Sequence, residues 1–414
     1  MFTRSSPLRA WYGFAAGLVS FVVLTGCGIS GALPPGSTER ASAAASSSSR
    51  GGEASIKASA TPSEALVPVS ISMSRTYTCA LMQDSTVWCW GTMSTVPSDQ
   101  DRDVVPAPLG ETALQVSAGG DGHACLVTLD RTAKCWGSNS VGNLGDGTLQ
   151  DRQKPVTVVG LKDVRSIHAF VGATCAILMT GLVKCWGSSR SGHGLGYDTP
   201  TPIQVPNLTD VVDMAGGQGQ ACAIRSDGTL WCWGDNYFGQ LDDGTNAARL
   251  TPVKTKDLAG VTQIVAGWSH FCAILQNRSA RCWGSGRLGT TGYGGTDDQP
   301  TPIAPKGLPG TIISVAAGDE HTCELAADGS VWCHGRNDEG QTGSQKSGNA
   351  DILAPRRVLG MPAMKYIASG GWHNCGLSSD NVMWCWGENY FGQLGTGKKS
   401  EWSLPVKIDL QARR

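Results

Sequence analysis

Residues 227–241 read DGTLWCWGDNYFGQL, and residues 379–394 read SDNVMWCWGENYFGQL. Both segments contain Trp-Cys-Trp-Gly, then an acidic residue, then Asn-Tyr-Phe-Gly-Gln-Leu. Such a close recurrence within one chain indicates an internal repeat, and a repeat constrains the whole fold more strongly than any local feature.

The cysteines give the period of the repeat. The chain has 15 cysteines, and all except Cys27 fall into seven pairs whose members are ten residues apart. Successive pairs follow at intervals of 46 to 52 residues, so the sequence is a sevenfold array with a period near 50. The pairs are Cys79 with Cys89, Cys125 with Cys135, Cys175 with Cys185, Cys222 with Cys232, Cys272 with Cys282, Cys323 with Cys333, and Cys375 with Cys385.

Residues 1–26 have the pattern of a secretory signal. Arg4 and Arg9 precede an apolar run at residues 10–24, which is shorter than the ~20 residues of a comfortable membrane span. The run ends in LTGC at residues 24–27, which resembles the lipobox of bacterial lipoproteins. The resemblance implies cleavage before Cys27 and a lipid anchor on that cysteine. An ordinary cleaved signal with an incidental cysteine is the alternative.

Residues 27–65 are rich in Ser, Ala, Gly and Pro and lack apolar periodicity, so we expect a disordered tether after the lipidated Cys27. The repeat array then occupies residues 66–414. These segments predict a bacterial cell-envelope protein held at the membrane by its lipid, in the outer membrane if the organism has one. The net charge of -1 offers no basic footprint for nucleic acid.

Each cysteine pair lies across a predicted β-hairpin. In the fourth unit, pairing Cys222 with Cys232 leaves residues 226–228 as a three-residue turn that ends in glycine. Opposite residues on antiparallel strands are ~4.5–5.5 Å apart at Cα, within the range that a disulfide spans. Disulfides also persist in the compartment that the signal indicates. We therefore predict seven disulfides, one within each unit.

Metal binding is the competing role for these cysteines, suggested by triplets such as His270-Phe271-Cys272. Zinc sites prefer cysteines separated by two to four residues, whereas nine residues separate these. The histidine is also replaced by Tyr77, Ala173 and Gln220 in three units that keep both cysteines. We therefore predict no metal and no cofactor.

A tryptophan precedes glycine at the same place in nearly every unit. It is adjacent to the second cysteine, so the two side chains point to opposite faces of a strand. A ligand-binding box and a packing layer between sheets are the two interpretations, and recurrence at one register favours packing. The positions are Trp90, Trp136, Trp186, Trp233, Trp283 and Trp386, with His334 in the sixth unit.

The order Ala-Gly-x-x-His, then Ala-x-Leu-x-x-Asp-Gly, then Trp-Gly-x-Asn-x-x-Gly-Gln-Leu-Gly resembles the repeat of the regulator of chromosome condensation family. In the sixth unit the matching residues are Gly318, His321, Leu325, Asp328, Gly329, Gly335, Asn337, Gly340 and Gln341, with His334 in place of tryptophan. The resemblance implies an all-β fold, a seven-bladed β-propeller with four antiparallel strands per blade. The signal and cysteines make the chain similar to a secreted bacterial lipoprotein branch with one disulfide per repeat.

The two ends of the array suggest how the ring closes. Most units are preceded by a strand such as Thr251-Pro252-Val253, but the first unit begins without a full copy. The chain ends in LPVKIDL at residues 404–410, with no unit after it. We therefore expect the C-terminal strand to complete the first blade.

A binding module for an extracytoplasmic protein or glycan is the function that we favour, and we expect a monomer. Nucleotide exchange on a small GTPase, the activity of the founding family member, does not fit a secreted chain. No hydrolase or metalloprotease motif and no isolated carboxylate pair indicates catalytic residues, so we predict that the chain is not an enzyme. A structural envelope protein and, after it, an enzyme acting on an envelope polymer remain alternatives.

The loop between Ala-Gly and the following strand varies most among the units. Framework residues repeat and these do not, so individual function is expected there. Trp268 and Trp372 are either exposed interface anchors or packing residues under neighbouring blades. The predicted partner-binding residues are Tyr77, Asp121, Gln218, Trp268, Asp319, Glu320 and Trp372. A second, weaker candidate set is Tyr237, Phe238, Tyr390 and Phe391.

Overall fold

The computed structural model describes residues 66–93, 107–189, 197–344 and 350–410. These ranges contain 28 β-strands and one short 3-10 helix, Arg287–Gly289. The strands form seven four-stranded antiparallel sheets, which confirms the predicted all-β, seven-bladed propeller. Within those ranges, no helix combines the length and apolar character that a membrane crossing requires.

Each blade consists of four strands that follow one another along the chain. The first strands surround the axis and contact the first strands of neighbouring blades. They are β1 (Pro68–Met73), β5 (Gln115–Ala118), β9 (Val164–Ala169), β13 (Val211–Gly216), β17 (Val261–Ala266), β21 (Ile312–Ala317) and β25 (Met364–Ser369). The second strands are β2 (Tyr77–Met82), β6 (His123–Val127), β10 (Ala173–Leu178), β14 (Gln220–Arg225), β18 (His270–Leu275), β22 (His321–Ala326) and β26 (His373–Ser378).

The third and fourth strands complete each blade on its outer side. The third strands are β3 (Thr86–Gly91), β7 (Ala133–Gly137), β11 (Val183–Gly187), β15 (Leu230–Gly234), β19 (Ala280–Gly284), β23 (Val331–Gly335) and β27 (Met383–Glu388). The fourth strands are β4 (Ala107–Thr112), β8 (Arg152–Thr157), β12 (Thr199–Gln204), β16 (Arg249–Lys254), β20 (Gln299–Ile303), β24 (Ile352–Arg357) and β28 (Trp402–Lys407).

All seven predicted disulfides are present, one between the second and third strands of each blade, so the predicted pairing is confirmed for every cysteine of the array. The bonds join Cys79 to Cys89, Cys125 to Cys135, Cys175 to Cys185, Cys222 to Cys232, Cys272 to Cys282, Cys323 to Cys333, and Cys375 to Cys385.

The fourth blade shows the hairpin geometry that places the two sulfurs together. Cys222 lies directly opposite Cys232, with a Cα–Cα distance of 4.1 Å. Gly228 ends the turn with a φ of 75° and donates its N–H to the carbonyl of Arg225. The three-residue hairpin and its register are therefore confirmed.

The recurring tryptophans are buried between blades, as the packing interpretation predicts. Trp283 is fully buried, and its Nε1 donates to the carbonyl oxygen of Gln240 in the preceding blade at 2.9 Å. The glycine that ends the Gly-Gln-Leu-Gly segment lets the backbone approach the next ring. A Cβ on Gly145 would lie 2.6 Å from the Trp186 ring. From its sequence, the Gly-Gln-Leu-Gly segment is expected to form a turn into the next strand. In the structure it also forms the surface against which the next blade's tryptophan packs.

The buried histidines of the Ala-Gly-x-x-His segments connect each blade to the next one. His270 Nε2 lies 2.9 Å from Thr322 Oγ1, and His123 Nε2 lies 2.9 Å from Thr174 Oγ1. Burial lowers the pKa of His270 to about 3 and that of His123 to about 4, so both rings are neutral at pH 7. The histidine of the motif is therefore a hydrogen-bonding link between blades.

The prediction that the C-terminal strand completes the first blade was wrong. The strand β28 pairs with β27, so the seventh blade is built from consecutive strands like the others. The fourth strand of the first blade is β4, whose segment APLGET lacks the Thr-Pro-Val pattern of the other units. The loop after each third strand returns the chain to its own sheet, and no described strand is left to exchange.

The ring closes instead through contacts between blades 7 and 1. His373 Nε2 lies 2.8 Å from Thr78 Oγ1, and Trp90 Nε1 donates to the carbonyl of Gln393 at 2.9 Å. The Tyr366 hydroxyl donates to the carbonyl of Ile71 at 2.9 Å. These are the same kinds of link that join the other blades. The predicted signal peptide, the lipid on Cys27 and the tether lie outside the described residues and stay predictions.

Candidate binding face

Strand direction places two sets of loops at one end of every blade. Because the strands are antiparallel, the loops after the first and third strands share one end, and the hairpin turns share the other. We call the first end the loop face. Its inner loops, which follow the first strands, are residues 74–76, 119–122, 170–172, 217–219, 267–269, 318–320 and 370–372.

A buried asparagine organises the longer loops that follow the third strands. Asn236 Nδ2 donates to the carbonyls of Thr245 and Ala247 at 2.8 and 3.2 Å. Its Oδ1 accepts the backbone N–H of Leu241 at 2.9 Å. Asn139 and Asn389 make corresponding bonds. The asparagine of the repeat motif therefore holds the loop scaffold and is not available to a ligand.

Backbone hydrogen bonds connect the inner loops of blades 4, 5, 6, 7 and 1. Gln218 N donates to Trp268 O at 3.1 Å, and Trp268 N donates to Asp319 O at 2.9 Å. The chain of bonds continues from Asp319 N to Gly371 O at 3.0 Å and from Gly371 N to Ser74 O at 3.1 Å. We call this connected set of loops the closed arc.

Arg75 reaches across the axial opening from blade 1. Its Nε donates to Asp319 Oδ2 at 2.6 Å in blade 6, and its guanidinium lies 4.6 Å from the Trp268 ring centre in blade 5. The Nη2 atom is buried and has no hydrogen-bond partner in the described part of the chain. Arg75 therefore covers the mouth of the axial channel and keeps one donor free.

A second arginine–tryptophan contact lies farther along the closed arc. The Arg336 guanidinium is 5.6 Å from the centre of the Trp372 ring, and its Nη1 donates to Glu320 at 2.8 Å. The Arg336 side chain also contacts both carboxylate oxygens of Asp338. Both predicted tryptophan anchors are thus half-buried, with an arginine stacked on the ring.

The inner loops of blades 2 and 3 form a different arrangement, which we call the open arc. The backbones of Gly120 and Asp121 make no hydrogen bond to a neighbouring loop within the described ranges. A cavity of about 650 Å³ lies here, bordered by Arg75, Asp121 and Gln218. The Asp121 carboxylate is exposed and packs beside Gly172.

The structure brings six of the seven predicted residues to the loop face. Asp121 and Gln218 are exposed there, and Trp268, Asp319, Glu320 and Trp372 are half-buried. Tyr77 was assigned wrongly to the partner-binding set. Its side chain is only 1% exposed, and its hydroxyl donates to the carbonyl of His123 in the next blade. Tyr77 replaces a linking histidine, and burial raises its pKa because the anion would be desolvated.

The aromatic residues of the second candidate set differ in how far they are exposed. Tyr237 is 74% exposed, more than any other large apolar or aromatic side chain in the described ranges. Tyr390 and Phe391 are exposed to a smaller degree, at 45% and 37%. Tyr237 is therefore the member of this set best placed to contact a partner.

The charges of the loop face interact across the opening. Burial raises the pKa of Asp319, and the paired Arg75 partly opposes that rise. Burial also raises the pKa of Asp121, again against the attraction of Arg75. At the end of β27, burial, followed by the charge of Glu339, raises the pKa of Glu388 to about 7. Burial therefore favours the neutral form of these carboxyl groups, and the nearby arginines favour the charged form.

One cluster beneath the closed arc has the composition of a metal site. Ligand atoms of Cys282, Glu324 and His334 lie within 4.8 Å of one another and are buried. Cys282 is bonded to Cys272, so its sulfur is not a thiolate ligand. His334 Nε2 instead pairs with Glu324 Oε1 at 3.0 Å. The cluster is a buried, hydrogen-bonded histidine–glutamate pair, and two protein ligands do not make a zinc site.

Sequence reasoning missed Arg75 and Arg336. Each occurs in one unit only, so the repeat pattern did not draw attention to them. The signal that was available is their position, because Arg75 belongs to an inner loop and Arg336 directly follows the Trp-Gly position of its unit. Their importance depends on contacts with residues of other units or other loops.

The family comparisons agree with this geometry. The Regulator of chromosome condensation (RCC1) repeat model matches residues 135–179, 227–274, 282–325, 328–377 and 380–413. A second model of the same repeat matches residues 114–143, 211–240, 261–290, 312–341 and 364–393. The chain belongs to the RCC1 repeat family.

Curated relatives match over short stretches. A probable E3 ubiquitin-protein ligase, HERC3 of Homo sapiens, is 34% identical over 102 residues, which is 24% of this chain and 10% of that protein. The ultraviolet-B receptor UVR8 of Arabidopsis thaliana is 31% identical over 99 residues, 23% of this chain and 22% of that protein. The matched part of the chain thus spans about a tenth to a fifth of these relatives.

Solved structures share the fold over most of both chains. Prp20p of Saccharomyces cerevisiae, described with its binding properties to Gsp1p and histones, is 22% identical with a TM-score of 0.68. That match covers 83% of this chain and 87% of Prp20p. Human WBSCR16 is 21% identical with a TM-score of 0.63, covering 73% of this chain and 84% of that one. At this identity the likeness supports the propeller fold alone.

Proposed function

We propose that this chain is a lipid-anchored protein of the bacterial cell envelope whose loop face binds a protein outside the cytoplasm. The observation that carries the proposal is that the unit-specific side chains converge on one face. Trp268 and Trp372 are half-buried there, each with an arginine on its ring, and the two arginines pair with half-buried carboxylates. The regular framework below supplies a rigid support for them.

The energetics of protein interfaces support this role for the two tryptophans. Tryptophan and arginine are the side chains most enriched among residues that dominate binding energy. A ring already held by an arginine loses less side-chain freedom when a partner covers it. The closed arc therefore presents two anchors whose positions are fixed before binding.

Partner capture from an envelope extract tests the proposal. Full-length protein in detergent is the bait, and captured proteins are identified by mass spectrometry and then titrated individually. We expect Trp268→Ala and Trp372→Ala each to weaken binding by ~2 kcal/mol, about 30-fold, because each removes an interface anchor.

The matched control is Trp231→Ala. Trp231 is also half-buried and carries an arginine, with the Arg225 guanidinium 5.3 Å from its ring centre, but it lies near the hairpin turn at the opposite end of its blade. This variant should retain capture. Equal capture by all three variants would contradict the proposal, and capture that survives protease treatment of the extract would identify a glycan partner instead.

The membrane anchor has its own test. Cys27→Ser removes the predicted acylation site, and a protein without its acyl chains should move from the membrane fraction to the soluble fraction. Fractionation with a high-salt wash measures this change. Continued membrane association of the variant would rule out the lipid as its anchor.

A further inference from the structure

The cavity of the open arc is a built feature of the loop face. Its volume of about 650 Å³ lies within the range of ligand pockets, ~300–1,000 Å³. Glycine and serine residues form much of the wall, and none of the described lining residues is aromatic. Recognition inside it therefore depends on hydrogen bonds and charge, in contrast to the tryptophans of the closed arc.

The charges of the cavity favour a cation. Two carboxylates, of Asp121 and Asp235, and one guanidinium, of Arg75, are the charged groups among its described lining residues. The guanidinium is already paired with Asp319. Asp121 forms no ion pair in the described ranges. An added carboxylate would face Asp121 in a partly desolvated site, whereas an added ammonium group would complement it.

Arg75 supplies the second element of recognition. Its Nη2 atom is buried without an acceptor in the described ranges and belongs to a side chain that lines the cavity. A buried N–H donor without a partner is energetically unfavourable, and an incoming acceptor would remove that cost. A peptide carbonyl next to a basic side chain would supply such an acceptor while the basic group reaches Asp121.

We propose that this cavity receives a lysine or arginine side chain of the protein partner, whose charged group pairs with Asp121 and whose backbone carbonyl accepts from Arg75 Nη2. The inference rests on the proposed function and specifies the chemistry of one contact between the loop face and its protein partner. The closed arc holds the partner through its tryptophans, and the open arc selects a basic residue.

Short peptides of one defined charge test the inference with the full-length protein. Biotinylated Gly-Ser-Lys-Ser-Gly, its glutamine analogue and its glutamate analogue are displayed at high density on streptavidin, because multivalent display raises weak affinities into a measurable range. We expect the lysine peptide to bind roughly tenfold more tightly than the glutamine peptide, with the preference reduced at high salt. Asp121→Asn should abolish the preference.

The matched control is Asp163→Asn. Asp163 is an exposed aspartate just before β9, at the opposite end of the blades, and its φ of 55° is one that asparagine tolerates. This variant loses the same charge and should keep the lysine preference. A preference for the glutamate peptide that disappears in Arg75→Gln would overturn the inference and indicate an acidic ligand. Equal binding of all three peptides, or an equal loss in both aspartate variants, would overturn it as well.

Failure of this inference is distinguishable from failure of the proposed function. If Asp121→Asn captures the envelope partner as well as the unchanged protein does, the basic contact is rejected while the binding face stands. If Trp268→Ala and Trp372→Ala also capture it normally, the binding face itself is wrong.

Discussion

The closed and open arcs of the loop face are built on the same framework yet differ in their upper surface. In the closed arc, Trp268, Asp319 and Gly371 form a continuous chain of backbone hydrogen bonds, and Arg75 bridges it from the far side. In the open arc, the backbone of residues 120 and 121 has no such link within the described ranges, and a cavity lies beside it. Two or three residues per inner loop therefore decide whether the face is sealed or open.

The comparison separates two layers of the molecule. Below the surface, disulfides occur in all seven blades, the packing tryptophan in six and the linking histidine in four, because each blade must meet its neighbours in a similar way. Above them, the side chains of the inner loops differ from unit to unit, although the backbones of the closed arc are hydrogen-bonded to the loops of neighbouring blades. The charge and shape of these loop side chains can vary without disturbing the contacts between blades. A binding partner would recognise those differences.

The largest expected effect is a loss of folding stability caused by a substitution in the core beneath the closed arc. In blade 6, Glu324 and His334 occupy the places that Ala273 and Trp283 hold in blade 5. Both side chains of the ion pair are 0% exposed. Burial lowers the pKa of His334, but the Glu324 charge, the hydrogen bond to Glu324 and the hydrogen bond to the Gly289 carbonyl together outweigh it, and the net shift is upward. We expect Glu324→Ala to lower the free energy of unfolding by about 3 kcal/mol, because it leaves a buried imidazole without its acid.

The control for this prediction reconstructs blade 5 within blade 6. The double variant Glu324→Ala with His334→Trp should recover most of the lost stability, since an apolar pair of similar volume replaces the ion pair. Guanidinium unfolding under non-reducing conditions measures both variants. A double variant that is less stable than Glu324→Ala would show that the tryptophan position of blade 6 is not equivalent to the others.

Acidification should loosen the closed arc more than the open arc. Three linking histidines, His270, His321 and His373, lie beneath the closed arc, and their pKa values are lowered by burial to about 3, 4 and 3. Beneath the open arc lie one linking histidine, His123, and His168 of β9, and burial lowers the pKa of both to about 4. Below a pH of about 6.5 the unfolded chain binds protons that the buried rings exclude, so stability falls with pH, by about 2 kcal/mol per histidine at pH 5.

Buried acids act in the opposite direction. The pKa of Asp213 is raised by burial to about 6, as is that of Asp242, so protonation of these groups favours the folded state as the pH falls. Hydrogen exchange at pH 7 and pH 5 resolves the two arcs. Because intrinsic amide exchange is itself slower at pH 5, protection factors are compared rather than raw rates. Lower protection at pH 5 in the loops of blades 5 to 7 is the expected result, and a loss of protection confined to blade 2 would refute the assignment.

A smaller effect is expected from opening the closed arc directly. Arg75→Gln removes the bridge and leaves Asp319 without its cation, and the pair is partly exposed at 23% and 12%. After allowance for solvent screening, we expect a loss of ~1–2 kcal/mol in stability. A thermal melt unchanged from that of the original protein would show that Arg75 does not hold the arc together.

The smallest stability effect belongs to the open arc. Asp121→Asn changes an exposed loop residue that forms no ion pair within the described ranges, so its free energy of unfolding should change by less than ~0.5 kcal/mol. Comparison with Arg75→Gln in the same thermal melts then measures the difference between the arcs. A larger loss of stability for Asp121→Asn than for Arg75→Gln would contradict the view that the closed arc is the more strongly connected of the two.

Repetition made most of the framework predictable. Seven cysteine pairs at one spacing set the number of blades, and the turn at Gly228 set the hairpin register, because both depend on residues close together in the sequence. Tryptophan packing was also deduced correctly, since one residue type at one register in six units requires a shared structural role. Tyr77 does not belong to the partner-binding set, because its side chain fills the buried place that a linking histidine holds in other blades.

Ring closure and the loop face were decided by tertiary structure. The fourth strand of blade 1, β4, was not recognised because its sequence differs from Thr-Pro-Val, and only sheet pairing shows where β28 belongs. Arg75 and Asp319 are 244 residues apart in the chain and meet only because seven blades bring the last repeats back to the first. The sequence by itself determined the hairpin structure within each blade and the number of blades, since both follow from the spacing of residues close together in the chain. Closure of the ring decides which unit-specific side chains face one another across the axis. A local sequence pattern cannot predict such contacts, because the residues are far apart in the chain.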